Sequence, residues 1–189
     1  MSAGITGDPS KVPIGREYAD KLPYASMFAW FGGSTKALMV LSEIEAGPRW
    51  LWVSAERQSI KTFGPFAERV LGLDLELRGT RFEGGWKPNP LSMLGETLQR
   101  TLDVSVENKR VQIVTSSQFK LGSKDKIAIA GTEFALQLVY EKVSSEGRHQ
   151  HDNKYWVETS SGRCWKAKQI AIPTLPELNT EILKYPSET

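Results

Sequence analysis

The chain has 189 residues, a formal net charge of +2 and 40% apolar residues. That is enough for one domain with its own core, and too little charge to call for nucleic acid or an anionic surface as partner. Cys164 is the only cysteine, which excludes an internal disulfide and a cysteine-pair metal site but leaves the redox compartment open. No run approaches the ~20 apolar residues of a membrane-spanning helix, and Met1–Asp8 lacks the basic start and apolar stretch of a signal peptide.

Residues 1–22 hold glycines and prolines without a periodic apolar face, which predicts a flexible arm leading into a domain over 23–186. From Tyr24 to Phe31 and from Ala37 to Leu41, two apolar runs flank Gly32-Gly33-Ser34 and predict a hairpin. The chain is organised around Trp50–Leu77, where Trp50/Trp52, Leu51/Val53 and Leu73/Leu75/Leu77 repeat every second residue, the period of a strand. Gly79–Pro90 carries Trp86 among glycines and prolines and reads as a long loop, and Leu91, Leu94 and Leu98 after Pro90 predict a short helix over 91–100.

Leu102/Val104/Val106 alternate with polar residues and turn at Asn108-Lys109 into Val111/Ile113. Phe134/Leu136/Leu138/Tyr140 alternate with Gln137, Val139 and Glu141, giving a strand whose apolar face carries the even positions. Ser144–Asn153 is polar and predicts a loop; Tyr155–Thr159 and Cys164–Ile170 make the clearest hairpin; Thr180–Tyr185 suggests a tail strand. A short echo between Trp52-Val53-Ser54 and Trp156-Val157-Glu158 raises two related β modules. The fold class is therefore mainly β and antiparallel, with one or two short helices.

Chemistry is sparse. His149 and His151 form an H-x-H pair, but two imidazoles in a polar loop lack the ligand count of a zinc site, and the reading is solvated histidines with no metal. Cys164, inside a strand pattern, reads as a small buried apolar side chain. Glu43/Glu45 and Asp74/Glu76 are carboxylates at strand spacing; a glycosidase pair is one reading of them, solvent-facing strand positions the simpler one. No nucleophile elbow, phosphate-binding loop or dinucleotide fingerprint occurs in the sequence, so the expectation is no enzyme, no catalytic residues and no cofactor. If an aromatic surface serves a partner or a glycan, the candidates are Trp86, Trp156 and Trp165, with Arg163 beside the last two.

Leu22-Pro-Tyr-Ala-Ser-Met27, Trp50-Leu-Trp-Val-Ser54, Ile60-Lys-Thr-Phe-Gly64 and Leu71-Gly-Leu73, followed by Asn153-Lys-Tyr-Trp-Val157, Ser161-Gly162, Lys168-Gln169 and Pro173, resemble the YjbF/GfcB (YmcC-like) family of bacterial lipoproteins over about residues 20–185. The resemblance implies coiled, bifurcated β-sheets and no catalytic residues. It also implies a Gram-negative envelope protein, encoded among genes for group 4 capsule or other exopolysaccharide, held by a lipid on the periplasmic face of the outer membrane. Cys164 lies too deep in the domain to be the family's lipidated cysteine, so the chain reads as a mature soluble part with its arm as the spacer. The function this implies is that of a non-enzymatic accessory factor in capsule or exopolysaccharide assembly or export, touching other export proteins and the polysaccharide, with no nucleic acid and no membrane contact except through the lipid. Two alternatives stand beside it: a periplasmic lipid or glycolipid carrier, which needs a large apolar cavity, and an envelope glycosidase, which needs two carboxyl groups converging in a cleft.

Overall fold

The structure, a computed structural model, describes residues 15–106 and 109–186. Twelve antiparallel strands succeed one another around a closed barrel: β1 (Ser26–Phe31), β2 (Ala37–Glu45), β3 (Arg49–Ser54), β4 (Ser59–Phe63), β5 (Phe66–Leu71), β6 (Leu75–Glu83), β7 (Thr97–Val106), β8 (Lys109–Ile129), β9 (Thr132–Ser145), β10 (Arg148–Val157), β11 (Cys164–Gln169) and β12 (Leu178–Lys184), which returns to pair with β1. The expected mainly-β, antiparallel class takes this more specific form, and pairing of β12 with β1 closes the wall without an edge strand among the described residues. The turn expected at Asn108-Lys109 lies partly outside the described residues.

The period-two pattern sets which side chains enter the barrel. Met27 and Ala29 on β1, Met39 on β2, Trp52 on β3, Ile60 on β4, Val70 on β5, Leu77 on β6, Leu102 and Val104 on β7 and Leu178 and Ile182 on β12 form one continuous interior cluster. A second cluster, Phe63, Phe66, Trp86, Met93, Phe119, Val139 and Tyr155, fills the interior beside it. Twelve strands would enclose a wide lumen if the wall were evenly round, and here large aromatic side chains occupy it. The outward positions include Lys61, Arg78, Lys120, Lys142 and Lys154. Charge outside and apolar packing inside is the inverse of a barrel that faces lipid.

β8 and β9 run on past the barrel wall. At Leu121–Lys124 the register shifts, and a side chain on Gly122 would meet the Leu138 carbonyl oxygen at 3.1 Å and the Tyr140 ring at 2.8 Å. The hairpin bends there and its far end lies on the outer face of β10–β12. Ile127 and Phe134 pack with Leu136, Leu138, Trp156 and Trp165, and Asp125 accepts a hydrogen bond from Trp156 Nε1 at 2.9 Å.

Three expectations change. Residues 16–21 of the expected arm form a helix, α1 (Arg16–Lys21), docked by Ala19 against Ile129 and Leu183; residues 1–14 lie outside the described residues. The helix expected over 91–100 is a single 3-10 turn, Pro90–Met93, capped by Asn89 Oδ1 accepting from the Leu91 amide at 3.0 Å. Gly95, at φ 79°, ends it, and β7 begins at Thr97. The two-module echo fails geometrically, since Trp52 points into the barrel and Trp156 packs on its outer face.

Strand succession also fixes the two ends. The β4–β5, β6–β7 and β10–β11 connections share one end, and the β6–β7 segment plugs it: Trp86 donates from Nε1 to the Gln99 carbonyl at 2.8 Å and meets Phe66 and Phe119 edge-on at 5.1 and 5.6 Å. The β5–β6, β7–β8, β9–β10 and β11–β12 connections share the opposite end.

Candidate functional site

The polar run Ser144–Asn153, expected to be a loop, is the end of β9, a two-residue turn and the start of β10. Glu146 and Gly147 hold that turn at φ 51° and 73°, the left-handed pair that a tight hairpin needs. His151, Asn153, Tyr155 and Val157 therefore alternate into the barrel. On β9 the interior positions are Gln137, Val139, Glu141 and Val143, so the inward face is the odd one. The even face, Leu136 and Leu138, is apolar because the bent hairpin covers it.

Glu141 is wholly buried. Its Oε1 receives Arg100 Nη2 at 2.9 Å and the Ser117 hydroxyl at 2.5 Å; its Oε2 receives Asn153 Nδ2 at 2.8 Å and the Tyr155 hydroxyl at 2.6 Å. Registry places these donors: Asn153 lies directly across from Glu141 on β10, while Ser117 and Tyr155 sit one step diagonal. Burial pushes the Glu141 carboxyl up, but the Arg100 guanidinium and the bonds from Asn153, Ser117 and Tyr155 outweigh it and hold the carboxyl below its ordinary value. The carboxylate is thus ionised inside the barrel, with its acceptor capacity used. Tyr155, buried and pressed against that carboxylate, has its hydroxyl pushed well up and stays a neutral donor.

Above this network, at the end opposite Trp86, lies a cavity of about 340 Å³ walled by Arg100 and Leu102 of β7, Ile113 and Thr115 of β8, Val143 of β9 and His151 of β10, with Arg148, Glu146 and Pro173 nearer the mouth. Two further voids, lined by interior residues such as Trp52 and Met39, are about 20 and 30 Å³. Arg100 is 4% exposed. One of its faces is committed to Glu141 and its guanidinium lies 5.3 Å from the Trp86 ring centre, while its Nε has no hydrogen-bond partner. His151 Nε2 is likewise buried without one. Burial, with Arg100 beside it, lowers the His151 pKa below its ordinary value, so its imidazole is neutral near pH 7.

The residues singled out from sequence fall elsewhere. Trp86 and Trp156 are 8% and 7% exposed, so neither offers the open ring face that a partner or glycan would need: Trp86 plugs the barrel end and Trp156 lies under the bent hairpin. Trp165 stacks on Phe134 at 4.6 Å and meets Tyr185 at 5.1 Å, and the Arg163 guanidinium lies 5.1 Å from the same Tyr185 ring. Trp156, Trp165 and Arg163 thus share the outer layer over β10–β11, and Trp86 stands apart. His149, its Nε2 3.6 Å from Asp152 Oδ1, is on the surface, whereas His151 turns inward. The reading of both as solvated is corrected for His151. Cys164 is buried and its thiol is pushed up to about 12 by burial. Glu45 pairs with Lys61 at 2.6 Å and Glu76 with Arg78 at 2.7 Å, each on the outer surface.

A family model described as "Group 4 capsule polysaccharide lipoprotein gfcB, YjbF" matches residues 7–183. The chain belongs to the YjbF family. A solved structure of the hypothetical lipoprotein YmcC from Escherichia coli (K12) superposes with a TM-score of 0.81 at 21% identity, covering 93% of this chain and 91% of that one. At that identity the likeness is one of fold. No curated protein matches. Sequence gave two signals for the Glu141 network and the mouth cavity that pattern reading misassigned: the alternation His151, Asn153, Tyr155 in a polar run, and a carboxylate between Val139 and Val143.

Proposed function

We propose that this YjbF-family protein is lipid-anchored at the periplasmic face of the outer membrane and acts, without catalysis, as an accessory factor in capsule or exopolysaccharide assembly or export. It works through contacts with other export proteins of the envelope and with the polysaccharide. The single observation that carries the reading is the family match across residues 7–183. The barrel supports it as a rigid body with a polar mouth. The carrier alternative loses its footing because it needs a wide apolar lumen, whereas Trp52, Phe66, Phe119 and Tyr155 fill the interior and the mouth cavity is lined by Arg100, His151 and Thr115 as well as apolar groups. The glycosidase alternative has weaker support at the mouth cavity, where, among the described residues, the nearby carboxylate Glu141 is saturated by four donors and Glu146 stands at the rim.

Deleting the gene in its host and quantifying surface and released polysaccharide tests the role, with a marked fall as the expected result and unchanged polysaccharide as the contrary one. Incubating the purified protein with that polysaccharide tests the non-enzymatic part. The chain-length distribution should stay as it was, and shortening would contradict it.

A further inference from the structure

Two glycines lie inside the described strands, Gly79 in β6 and Gly122 in β8, and the fold requires only the second. A Cβ on Gly122 would press on Tyr140 and Leu138, whereas nothing lies within 4 Å of the place a Gly79 Cβ would take. Gly79 sits at the register shift between Leu77 and Gly79, but a bulge that demands glycine holds it at positive φ, and the φ of Gly79 is not positive. Glycine within a strand lowers stability relative to a residue with a side chain. What its presence leaves is open space: a shallow depression of about 250 Å³ on the outer face of β6–β8, lined by Gly79, Thr80, Arg81, Thr101, Asp103 and Gln112.

Strand registry assembles the walls. Gly79 pairs with Asp103 and Asp103 with Gln112, and Arg81 pairs with Thr101 in the next row. Leu102 and Val104 are packed inside the barrel, so Asp103 between them faces out. Gln112 is exposed, and the Arg81 and Asp103 side chains are 70% and 32% exposed, which leaves polar groups of all three open to solvent. Charge cancels around them: Arg78 lies 2.7 Å from Glu76, Arg81 3.2 Å from Glu83 and Arg110 4.0 Å from Asp103. A balanced surface does not select a strongly charged ligand. It offers the guanidinium as donor, the carboxylate as acceptor and the Gln112 amide as both, the set that suits several neutral hydroxyls on one ring. The volume is below the roughly 300 Å³ at which drug-sized sites begin, so the depression takes a single ring of a longer molecule whose neighbouring units stay in solvent.

We propose that this depression binds a neutral sugar ring within a polysaccharide chain, the ring lying over Gly79 and its hydroxyls meeting Asp103, Gln112 and Arg81. The neutral, hydroxyl-bearing ring stands on the walls of the depression. The polysaccharide that carries it rests on the role proposed above.

The test titrates the full chain, ¹⁵N-labelled, with short oligosaccharides released from the host's surface polysaccharide by partial acid hydrolysis. Saturable amide shifts centred on Gly79, Thr101 and Gln112 are expected, with an affinity that changes less than about twofold between roughly 0.05 and 0.5 M NaCl because no ion pair is screened. Gly79→Ile fills the depression without touching a neighbour. It should weaken binding about tenfold or more while the urea midpoint stays the same or rises, since a β-branched residue suits a strand. Gln112→Ala, at an exposed position, should weaken binding several-fold with the fold unchanged.

Absence of saturable shifts, shifts centred elsewhere on the barrel, or full-strength binding by Gly79→Ile overturns the site. A lower urea midpoint for Gly79→Ile shows that the bulge needs its glycine and removes the premise. Binding that collapses as salt rises overturns the neutral assignment. The outcome is separable from the role of the protein: loss of polysaccharide on gene deletion without oligosaccharide binding sinks this inference alone, and oligosaccharide binding with unchanged polysaccharide sinks the role while the site stands.

Discussion

Trp52 on β3 and Glu141 on β9 are both completely buried in the interior of one barrel, and their surroundings have little in common. Around Trp52 lie Met27, Met39, Ile60 and Leu77, and its one polar atom donates to Thr62 Oγ1 at 3.3 Å. Burying such side chains contributes about 1.5–3 kcal/mol apiece and asks for no partner. Around Glu141 four side chains donate to it, and the carboxylate is tolerated only because they converge. A buried ion pair is seldom the cheapest way to stabilise a fold. That the β7–β10 side keeps one, directly beneath a cavity, teaches that this half is shaped by something other than stability.

The comparison can be broken most forcefully with single truncations on each side. Trp52→Ala should destabilise the protein by about 3–5 kcal/mol in urea unfolding, because it opens a cavity that the barrel wall cannot collapse to fill. Arg100→Met should cost a similar amount, about 3–5 kcal/mol, for a different reason: Glu141 keeps its three neutral donors but loses the opposite charge inside the barrel. The two sides then part company. Adding Glu141→Gln to Arg100→Met should recover part of the loss, because it removes the unpaired charge and leaves an amide oxygen to accept from the neighbouring donors, whereas no second substitution of comparable simplicity restores Trp52→Ala. If the double variant is no more stable than Arg100→Met, the β7–β10 half is an ordinary core and the contrast fails.

A smaller effect tests the plug that closes the Trp86 end. A Cβ on Gly64 would sit 2.3 Å from the Pro88 carbonyl oxygen, and its φ is 55°. Gly64→Ala should therefore cost about 1–3 kcal/mol through clash and backbone strain, read as a lower urea midpoint at unchanged slope. The loss should be the same at any pH, since no titrating group is involved.

The smallest expected effect belongs to His151 and is visible only as a pH dependence. Burial first, and then Arg100, lower its folded pKa, while Glu141 and Asp152 pull the other way and His149 adds to the lowering. The folded state thus resists a proton that the unfolded chain accepts. Stability should be complete above the ordinary histidine value of 6.5, decline as pH falls from there through the lowered folded value, and level off below it. His151→Gln should remove that decline. Identical slopes for the two proteins would mean that the imidazole is solvated, as a polar loop would have left it.

Much of the barrel was legible because its interior side chains repeat in twos: Trp50/Trp52 in β3, Leu75/Leu77 in β6 and Tyr155/Val157 in β10 each mark an inward face. Closure was not legible, since β1 and β12 meet through residues more than a hundred positions apart, a distance over which local pattern carries no information. The site was hidden for a more specific reason. Binary pattern reading takes the apolar face of a strand for the inner one, and β9 is buried on both faces, with Leu136 and Leu138 under the bent hairpin and Glu141 inside the barrel. Polar residues from Ser144 to Asn153 looked like a loop because nothing local says that a carboxylate waits across the ladder. For Trp86 and Trp156 sequence names the ring but not its cover: the β6–β7 segment and the bent hairpin decide their burial.

The central claim is that a buried, ionised carboxylate organises the β7–β10 interior, and the ¹³C side-chain resonance of Glu141 followed through an acid titration tests it most directly. Because the folded pKa is lowered, the stability this group contributes is full above its ordinary value of 4.5 and is lost as pH falls through the folded value. The resonance should keep its ionised shift down through pH 4.5 and change only below it or together with unfolding. A Glu141 carboxyl that takes up its proton above 4.5 while the barrel remains folded would contradict the account.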